Sequence, residues 1–282
     1  MEYIIENGIL SVTINSIGAE ITSVKKNGRE YVWQNDNGLW NSHAPLLFPH
    51  CGRCILKING VEYPPSFHGF LRGKETAVFE NSKDFISFIT TDDSDTKKVY
   101  PFDFEFKITY RLIGDSVFID YNYTNLSTIP ACFASGGHDS FNLDDEIENY
   151  RLIFSDKEIF VQNEHDNIGF LTGNTIPLGE GKVLPLPKNI LSNNNTLIFN
   201  DVNSNNVTLE HVSGKKICSI TFNGFKNLLL WRPLDSKMIC IEPWQNLPDL
   251  QGQKVVEFKD KKGVVSVPPK KSITFTREIK YY

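Results

Sequence analysis

Short runs of alternating apolar and polar residues, separated by turn residues, dominate the sequence. Between Glu75 and Asn125 about five such runs follow one another at hairpin spacing, with no helix of convincing length between them. Gly114-Asp115 lies between two of these runs and predicts a tight hairpin turn. The pattern predicts a meandering antiparallel sheet and therefore an all-β fold.

Turn signals and composition extend this prediction to the rest of the chain. Asn7-Gly8 and Asn27-Gly28 predict two more hairpins, and Leu197–Phe199 reads as a strand inside the Asn-rich tract 193–206. The 20 Phe and 10 Tyr, against 2 Met, favour strands. Because no linker divides the 282 residues, we predict a single β-sandwich domain over residues 1–282.

Composition also restricts the classes of partner. A net charge of −5 offers no basic surface for nucleic acid. No apolar run reaches the length of a membrane span, and the N-terminus MEYIIENGIL lacks the features of a signal peptide. An odd count of 5 cysteines argues against a secreted disulfide framework. We therefore expect a cytoplasmic protein with free thiols and with neither nucleic-acid nor membrane partners.

The stretch from Cys240 to Asp249 carries the clearest chemical signal. Apolar runs at 228–231 and 238–241 lead into it, so Glu242 is expected at the end of a core strand, just before a proline-broken loop. Trp244 adds a flat apolar face with an N–H donor at its edge. A carboxylate beside an indole suits a sugar, which has C–H faces and hydroxyl edges. The alternative is an ion pair of Glu242 at a strand end.

Two histidines have unusual surroundings. His138 follows Gly136-Gly137 on a sharp turn after an apolar run, which makes it a second catalytic candidate. His68 lies between Phe67 and Gly69, where an approaching group meets little steric hindrance. The alternatives are that His138 only hydrogen-bonds its own turn and that His68 is a satisfied core residue.

Arginine, cysteine and aspartate positions complete the candidates. Arg53, in a Gly-containing turn, offers a rigid fork for hydroxyls or anions, or else a surface ion pair. Cys51 and Cys54 form a C-x-x-C without the second pair that a structural zinc site needs, so no metal is expected. Arg72 lies four residues after His68. Asp201 is a weaker candidate, since a turn cap explains it equally well.

In chain order, four motifs make the sequence resemble the aldose 1-epimerase (galactose mutarotase-like) family, and within it the LacX-type branch. The motifs are Arg53, His68-Gly69-Phe70, residues 137–142 (GHDSFN) and Glu242-Pro243-Trp244. The resemblance spans nearly the whole chain. It implies a large antiparallel β-sandwich, the galactose mutarotase-like supersandwich, with an open sugar cleft across one sheet.

The resemblance also implies roles for individual residues. Glu242 matches the general base and His138 the general acid, while His68 and Arg53 match residues that bind sugar oxygens. Trp244 belongs to the same motif as Glu242 and would contact the sugar. The Asn or Arg pattern that often precedes the family's first histidine has no clear match in this sequence, and the family's site aspartate matches Asp201 only loosely.

The implied activity is that of an isomerase of carbohydrate and galactose metabolism, which interconverts the α and β anomers of an aldohexose without metal or organic cofactor. The partner would be a small sugar, and the protein a monomer or homodimer. The string HGFLR also resembles the hexose-6-phosphate 1-epimerase branch, in which an arginine at the position of Arg72 helps to hold the phosphate. Whether the sugar is phosphorylated stays open.

Anomer exchange requires one base for the C1 hydroxyl and one acid for the ring oxygen. A carboxylate and a histidine meet these needs near pH 7. A carbohydrate-binding protein without catalysis is the main alternative, because it would use the same aromatic and arginine contacts. Glycoside hydrolysis fits less well, since it normally uses two carboxylates.

Overall fold

The computed structural model describes residues 1–35, 38–191 and 196–282. Asn193–Asn195, the start of the Asn-rich tract, lie outside these ranges. The strands of the described residues are β1 (Glu2–Glu6), β2 (Leu10–Asn15), β3 (Glu20–Lys26), β4 (Arg29–Glu30), β5 (Leu46–Leu47), β6 (Arg53–Cys54), β7 (Lys57–Ile58), β8 (Val61–Glu62), β9 (Ser66–Phe67), β10 (Ala77–Asn81), β11 (Phe85–Thr91), β12 (Phe104–Ile113), β13 (Ser116–Asn125), β14 (Ala131–Phe133), β15 (Gly136–Gly137), β16 (Asp139–Asn142), β17 (Tyr150–His165), β18 (Leu171–Pro185), β19 (Leu197–Phe199), β20 (Asn206–His211), β21 (Lys216–Thr221), β22 (Asn227–Trp231), β23 (Met238–Trp244), β24 (Val265–Val267) and β25 (Ser272–Tyr281). Short 3-10 helices span Leu71–Gly73, Thr96–Lys98, Ile147–Asn149 and Phe258–Asp260.

The largest sheet has nine antiparallel strands in the order β10-β11-β12-β13-β25-β21-β20-β17-β18. Buried and half-buried residues alternate along β12 and β13, because successive side chains of a strand point to opposite faces. The two strands pair up to Ile113 opposite Ser116, so Gly114-Asp115 forms the predicted hairpin turn. The predicted hairpins at Asn7-Gly8 and Asn27-Gly28 are also confirmed, within a separate sheet of β1 to β4.

The second large sheet has six strands, in the order β19-β22-β23-β15-β5 with β16 also pairing with β23. It lies against the nine-stranded sheet. Phe48, which follows β5, stacks on Phe106 of β12 with ring centroids 4.1 Å apart. The main hydrophobic core fills the space between the two sheets. The prediction of an all-β, antiparallel sandwich is confirmed.

Three local predictions can be compared with the structure. The strand at Leu197–Phe199 is confirmed as β19, and the five thiols are free and buried. The prediction that the strand ends at Glu242 is wrong. Strand β23 continues to Trp244, because Trp244 pairs with Asn227 on one side and with Gly136 on the other.

Strand β9, which leads into His68, does not belong to the hairpin that precedes it. The hairpin at Asn59 joins β7 to β8, whereas β9 returns to pair with β6 and places His68 just beyond Phe67. Among the described residues, no helix is long and apolar enough to cross a membrane.

Candidate active site

Strand β23 separates the main core from the candidate site. All seven of its residues are buried, but alternate side chains have different surroundings. Ile239 and Ile241 belong to the main core between the sheets. Cys240 and Trp244 belong to two small clusters on the other face. Because side chains alternate along a strand, Glu242 shares that second face, with an apolar neighbour on either side.

His138 lies directly opposite Glu242 on the neighbouring strands. Gly136 pairs with Trp244 and Asp139 pairs with Ile241, so the register on both sides of His138 aligns it with Glu242. The predicted sharp turn at His138 is wrong, because β15 and β16 flank this residue in one continuous register along β23. The backbone N–H of His138 donates to the Pro45 carbonyl at 3.0 Å, just before β5. His138 Nε2 lies 3.3 Å from Glu242 Oε2. The sheet thus brings together the predicted base and the predicted acid.

The carboxylate of Glu242 is buried without a matching set of hydrogen bonds. Only 1% of the residue is exposed, and in the described parts of the chain neither carboxylate oxygen accepts a hydrogen bond. Burial raises the pKa of Glu242 well above its usual value, and the negative charge of Asp139 raises it further, against a lowering by the indole N–H of Trp244. A buried carboxylate in this state is costly for the fold, which is typical of a functional group.

Burial has the opposite effect on His138. It lowers the pKa of the imidazole to about 3, and the positive charge of Arg72 lowers it further, against a rise caused by the residue's own backbone. The side chain is 13% exposed, so it forms the accessible edge of the pair. Both shifts favour neutral forms, with the shared proton on Glu242 and a neutral imidazole on His138.

His68 approaches from the loop after β9 and is held by Gly52. The Gly52 N–H donates to His68 Nδ1 at 3.0 Å, and the His68 N–H donates to the Gly52 carbonyl at 3.0 Å. Burial lowers the pKa of His68 well below its usual value, so the ring is neutral and carries its proton on Nε2. The Nε2–H is therefore available as a donor.

The backbone of this loop is unusual. His68 and Gly69 have φ angles of 67° and 69°, a conformation that costs a histidine energy but not a glycine. A Cβ atom at Gly69 would lie 2.1 Å from the Phe48 carbonyl oxygen. Glycine is therefore required there, and the strained His68 beside it points to a functional site.

Aromatic rings surround the histidines. The Trp244 ring lies 5.1 Å from His68, and His68 lies 5.7 Å from His138, measured between ring centroids. On the other side, Trp40 and Trp231 lie 5.1 Å and 5.8 Å from His138. The two tryptophans are half-buried and present flat apolar surfaces of the kind that the C–H faces of a sugar can contact.

The sequence patterns do not indicate Trp40 or Trp231 as site residues. Trp231 ends an apolar run. It lies two residues after Leu229, and Leu229 pairs with Glu242, so the pairing of β22 with β23 places Trp231 on the same face as Glu242. That pairing is a tertiary feature. Trp40 lies in the irregular segment before β5, where no periodicity indicates the direction of a side chain.

The remaining predicted residues take different positions. Arg53 is half-buried, its Nε has no partner in the described residues, and its guanidinium carbon lies 5.8 Å from the Phe170 ring centroid. Arg72 is exposed and lowers the pKa of both His68 and His138. Asp201 is bound to Lys262 and Asn200, and the described residues show no contact between it and the histidines.

One donor set of the kind that binds metals occurs here. Donor atoms of His138, Cys240 and Glu242 lie within 4.8 Å of one another. Cys51 and Cys54 have separate surroundings: Cys51 packs with Leu47 and Trp244, whereas Cys54 accepts a contact of 3.2 Å from Lys261.

Comparisons with known proteins show the family and the fold. Residues 1–260 match the family model of aldose 1-epimerase. The plasmid-encoded protein LacX of Lactococcus lactis subsp. lactis is 31% identical over 284 residues, which cover 94% of each chain. A galactose mutarotase related enzyme from Lactobacillus acidophilus superposes with a TM-score of 0.89 and 27% identity, over 100% of this chain and 97% of that one.

A galactose mutarotase-like protein from Lactobacillus casei superposes over 100% of both chains, with a TM-score of 0.92 and 26% identity. The family and the fold together support a carbohydrate epimerase of the isomerase class. The chain belongs to the aldose 1-epimerase family, and within it is similar to LacX.

Proposed function

We propose that the protein is a mutarotase, which interconverts the α and β anomers of an aldohexose. The observation that carries this proposal is the buried carboxylate of Glu242, which accepts no hydrogen bond from the described residues and lies 3.3 Å from His138 in an aromatic-lined site. Glu242 serves as general base for the C1 hydroxyl, and His138 serves as general acid for the ring oxygen. Ring opening, rotation about the C1–C2 bond and closure on the other face complete the exchange.

The protonation of the pair fits this chemistry. One proton shared by Glu242 and His138 suffices, because the base gains the proton of the C1 hydroxyl while the acid loses one to the ring oxygen. Burial favours the proton on Glu242. A sugar hydroxyl that donates to the carboxylate supplies the missing hydrogen bond, stabilises the charged form and shifts the proton to His138.

The other groups orient the sugar. The Nε2–H of His68 donates to a sugar oxygen, since its Nδ1 is already occupied by Gly52. Arg53, which pairs with Phe67 next to His68, offers N–H donors. The faces of Trp244, Trp40 and Trp231 contact the C–H surfaces of the ring. Each positioned acid or base contributes roughly 10²–10⁴-fold, which suits a reaction that already proceeds slowly in water.

A hexose phosphate is the second candidate substrate, because Arg72 supplies a suitable charge. Its guanidinium is exposed, makes no hydrogen bond or ion pair with the described residues, and is close enough to influence both His68 and His138. A phosphate would receive bidentate N–H donors from it. Asp201 stays a weaker proposal for sugar binding, since Lys262 already holds its carboxylate.

Mutarotation of glucose, galactose and glucose 6-phosphate, followed side by side, tests the proposal. We expect acceleration of at least one of them that disappears in Glu242→Gln. Glu210→Gln is a matched control, because Glu210 is also buried but is paired with Arg151. Binding of a sugar without any acceleration would support the carbohydrate-binding protein instead.

A further inference from the structure

A fully buried ion pair lies directly behind the proposed acid. Arg277, on β25 of the nine-stranded sheet, is 0% exposed and contacts the Asp139 carboxylate with Nη1 and, at 3.3 Å, with Nη2. Its Nε donates to the Tyr121 hydroxyl at 2.7 Å. Since Asp139 belongs to β16 of the six-stranded sheet, the pair joins the two sheets through the core.

Both neighbours of His138 in sequence contact this guanidinium. Asp139 binds it, and Gly137 packs flat on it, because a Cβ atom at Gly137 would lie 2.2 Å from Nη2 and 2.3 Å from Cζ. On the other edge, the His138 N–H is held by the Pro45 carbonyl. The position of the imidazole is therefore defined through the residues on either side of it.

We infer that Arg277 and Asp139 are positioning residues for the proposed reaction, which hold His138 opposite Glu242. This inference rests on the proposed function. Neither residue reaches the sugar, since both are enclosed between the sheets. Their action is indirect: the guanidinium fixes the backbone from Gly137 to Asp139 and so sets the 3.3 Å distance between His138 Nε2 and Glu242 Oε2.

The ion pair of Arg277 and Asp139 also favours the proposed reaction electrostatically. The negative charge of Asp139 raises the pKa of Glu242, which makes its carboxylate a stronger base. An unpaired aspartate could not keep that charge so deep in the protein. Arg277 supplies the compensating charge, with Tyr121 as a further hydrogen-bond partner.

A purely structural role can be separated from this one by experiment. Replacing both members of a buried ion pair by apolar side chains is often neutral or stabilising for folding, whereas removing one member leaves an uncompensated charge. The double variant Asp139→Leu/Arg277→Met therefore removes the positioning contacts with the least damage to the fold. Arg111→Met/Asp120→Leu is the matched control, because that pair is also bidentate but lies on the solvent side of the nine-stranded sheet.

We expect the double variant to melt near the wild-type temperature while kcat falls by about 10²-fold, the loss that a misplacement of about 1 Å can cause. KM should change by less than about threefold, because the sugar contacts remain. The control variant should match the wild type in both constants. Asp139→Asn, which keeps the size of the side chain, provides a second test if the double variant does not fold.

A readout independent of turnover separates this inference from the proposed function. The ¹⁵N chemical shifts of the His138 imidazole, measured by NMR, should move in the positioning variants and not in the control. If the wild type accelerates no mutarotation, the proposed function fails, and these shifts still decide the positioning role. Folded variants with unchanged shifts and kcat, or a failure of both variants to fold, would assign the pair to the fold alone.

Discussion

Two carboxylates only seven residues apart, the buried Glu242 and the half-buried Asp249, have opposite surroundings. Asp249 accepts contacts of 2.6 Å and 2.7 Å from Lys261 Nζ and a hydrogen bond of 2.8 Å from the Ile55 N–H. Glu242 is more deeply buried, yet its oxygens accept no hydrogen bond from the described residues. The imidazole of His138 lies 3.3 Å from it.

The difference separates a structural acid from a functional one. A buried charge stabilises a fold only when its partners replace the lost water, and Asp249 has such partners in Lys261 and Ile55. Glu242 has an accessible histidine and aromatic walls instead, so its missing hydrogen bonds are free for a ligand. Residues of the two kinds should respond oppositely to conservative substitution: one should lose activity and the other stability.

The largest effect is expected at the partner of Glu242. His138→Asn removes the proposed acid, so turnover should fall by roughly 10²–10⁴-fold while the melting temperature stays near that of the wild type. Combining it with Glu242→Gln should add little, because groups that act as a unit are not additive. Steady-state mutarotation assays of the single and the double variant measure these losses. His211→Asn, at a partly exposed histidine beside Asp145, is the control, and fully additive losses would contradict a concerted pair.

Asp249→Asn should instead destabilise the fold. The substitution leaves Lys261 without its counter-charge and should lower the free energy of unfolding by about 3 kcal/mol. This is the lower end of the range for a broken buried pair, because the aspartate side chain is 20% exposed. Urea denaturation gives the free energy of unfolding, and kcat of the folded enzyme should change little. Asp115→Asn, in a more exposed ion pair, should cost less than about 1 kcal/mol. Equal losses in both variants would remove the distinction.

The sequence predicts these residues but not their arrangement. Apolar runs and turn signals indicate the strands, since they depend on local periodicity, and the carboxylate and paired glycines indicate Glu242 and His138. That these two face each other depends on the register of strands about a hundred residues apart. No local pattern specifies this register.

Buried charge and long-range packing explain the other misses. In the strand SITFTREI, Arg277 lies among polar residues and resembles an exposed position, although it is 0% exposed. Its partner Asp139 is 138 residues away. The strand end predicted at Glu242 is wrong for a similar reason, because pairing on both sides carries β23 past Pro243 to Trp244.

Arg72→Ala tests whether the substrate carries a phosphate. If a phosphosugar is the substrate, the loss of charged hydrogen bonds of roughly 1.5–3 kcal/mol should lower kcat/KM for glucose 6-phosphate by about 10–100-fold and that for glucose far less. Parallel assays on the two sugars measure this ratio. Arg111→Ala, at a surface arginine paired with Asp120, is the control. Equal losses for both sugars would make Arg72 structural.

The smallest effect concerns His50, a buried histidine whose Nε2 lies 2.7 Å from the Ser66 hydroxyl. Burial lowers its pKa to about 3, so the folded state keeps it neutral while the unfolded chain protonates it near pH 6.5. The contribution of His50 to the free energy of unfolding is therefore fully present above that pH and is lost as the pH falls below it. Between pH 7.5 and pH 6 the free energy of unfolding of the wild type should therefore fall by about 0.8 kcal/mol more than that of His50→Asn.

Urea denaturation at the two pH values measures this difference. Ser66→Ala is the matched control, because it removes the hydroxyl and leaves the buried imidazole, so its pH dependence should match the wild type. An unchanged pH dependence in His50→Asn would show that His50 does not titrate differently in the folded and unfolded states.

Glu242→Gln, measured for turnover and thermal stability in the same preparation, tests the central claim most directly. The substitution keeps the shape of the side chain and removes both the base and the need to bury an unpartnered acid. We predict that mutarotation falls by roughly 10²–10⁴-fold while the protein melts at or above the wild-type temperature and still binds sugar. Near-normal mutarotation, or a loss of activity that merely follows a loss of stability, would contradict the assignment of Glu242 as the catalytic base.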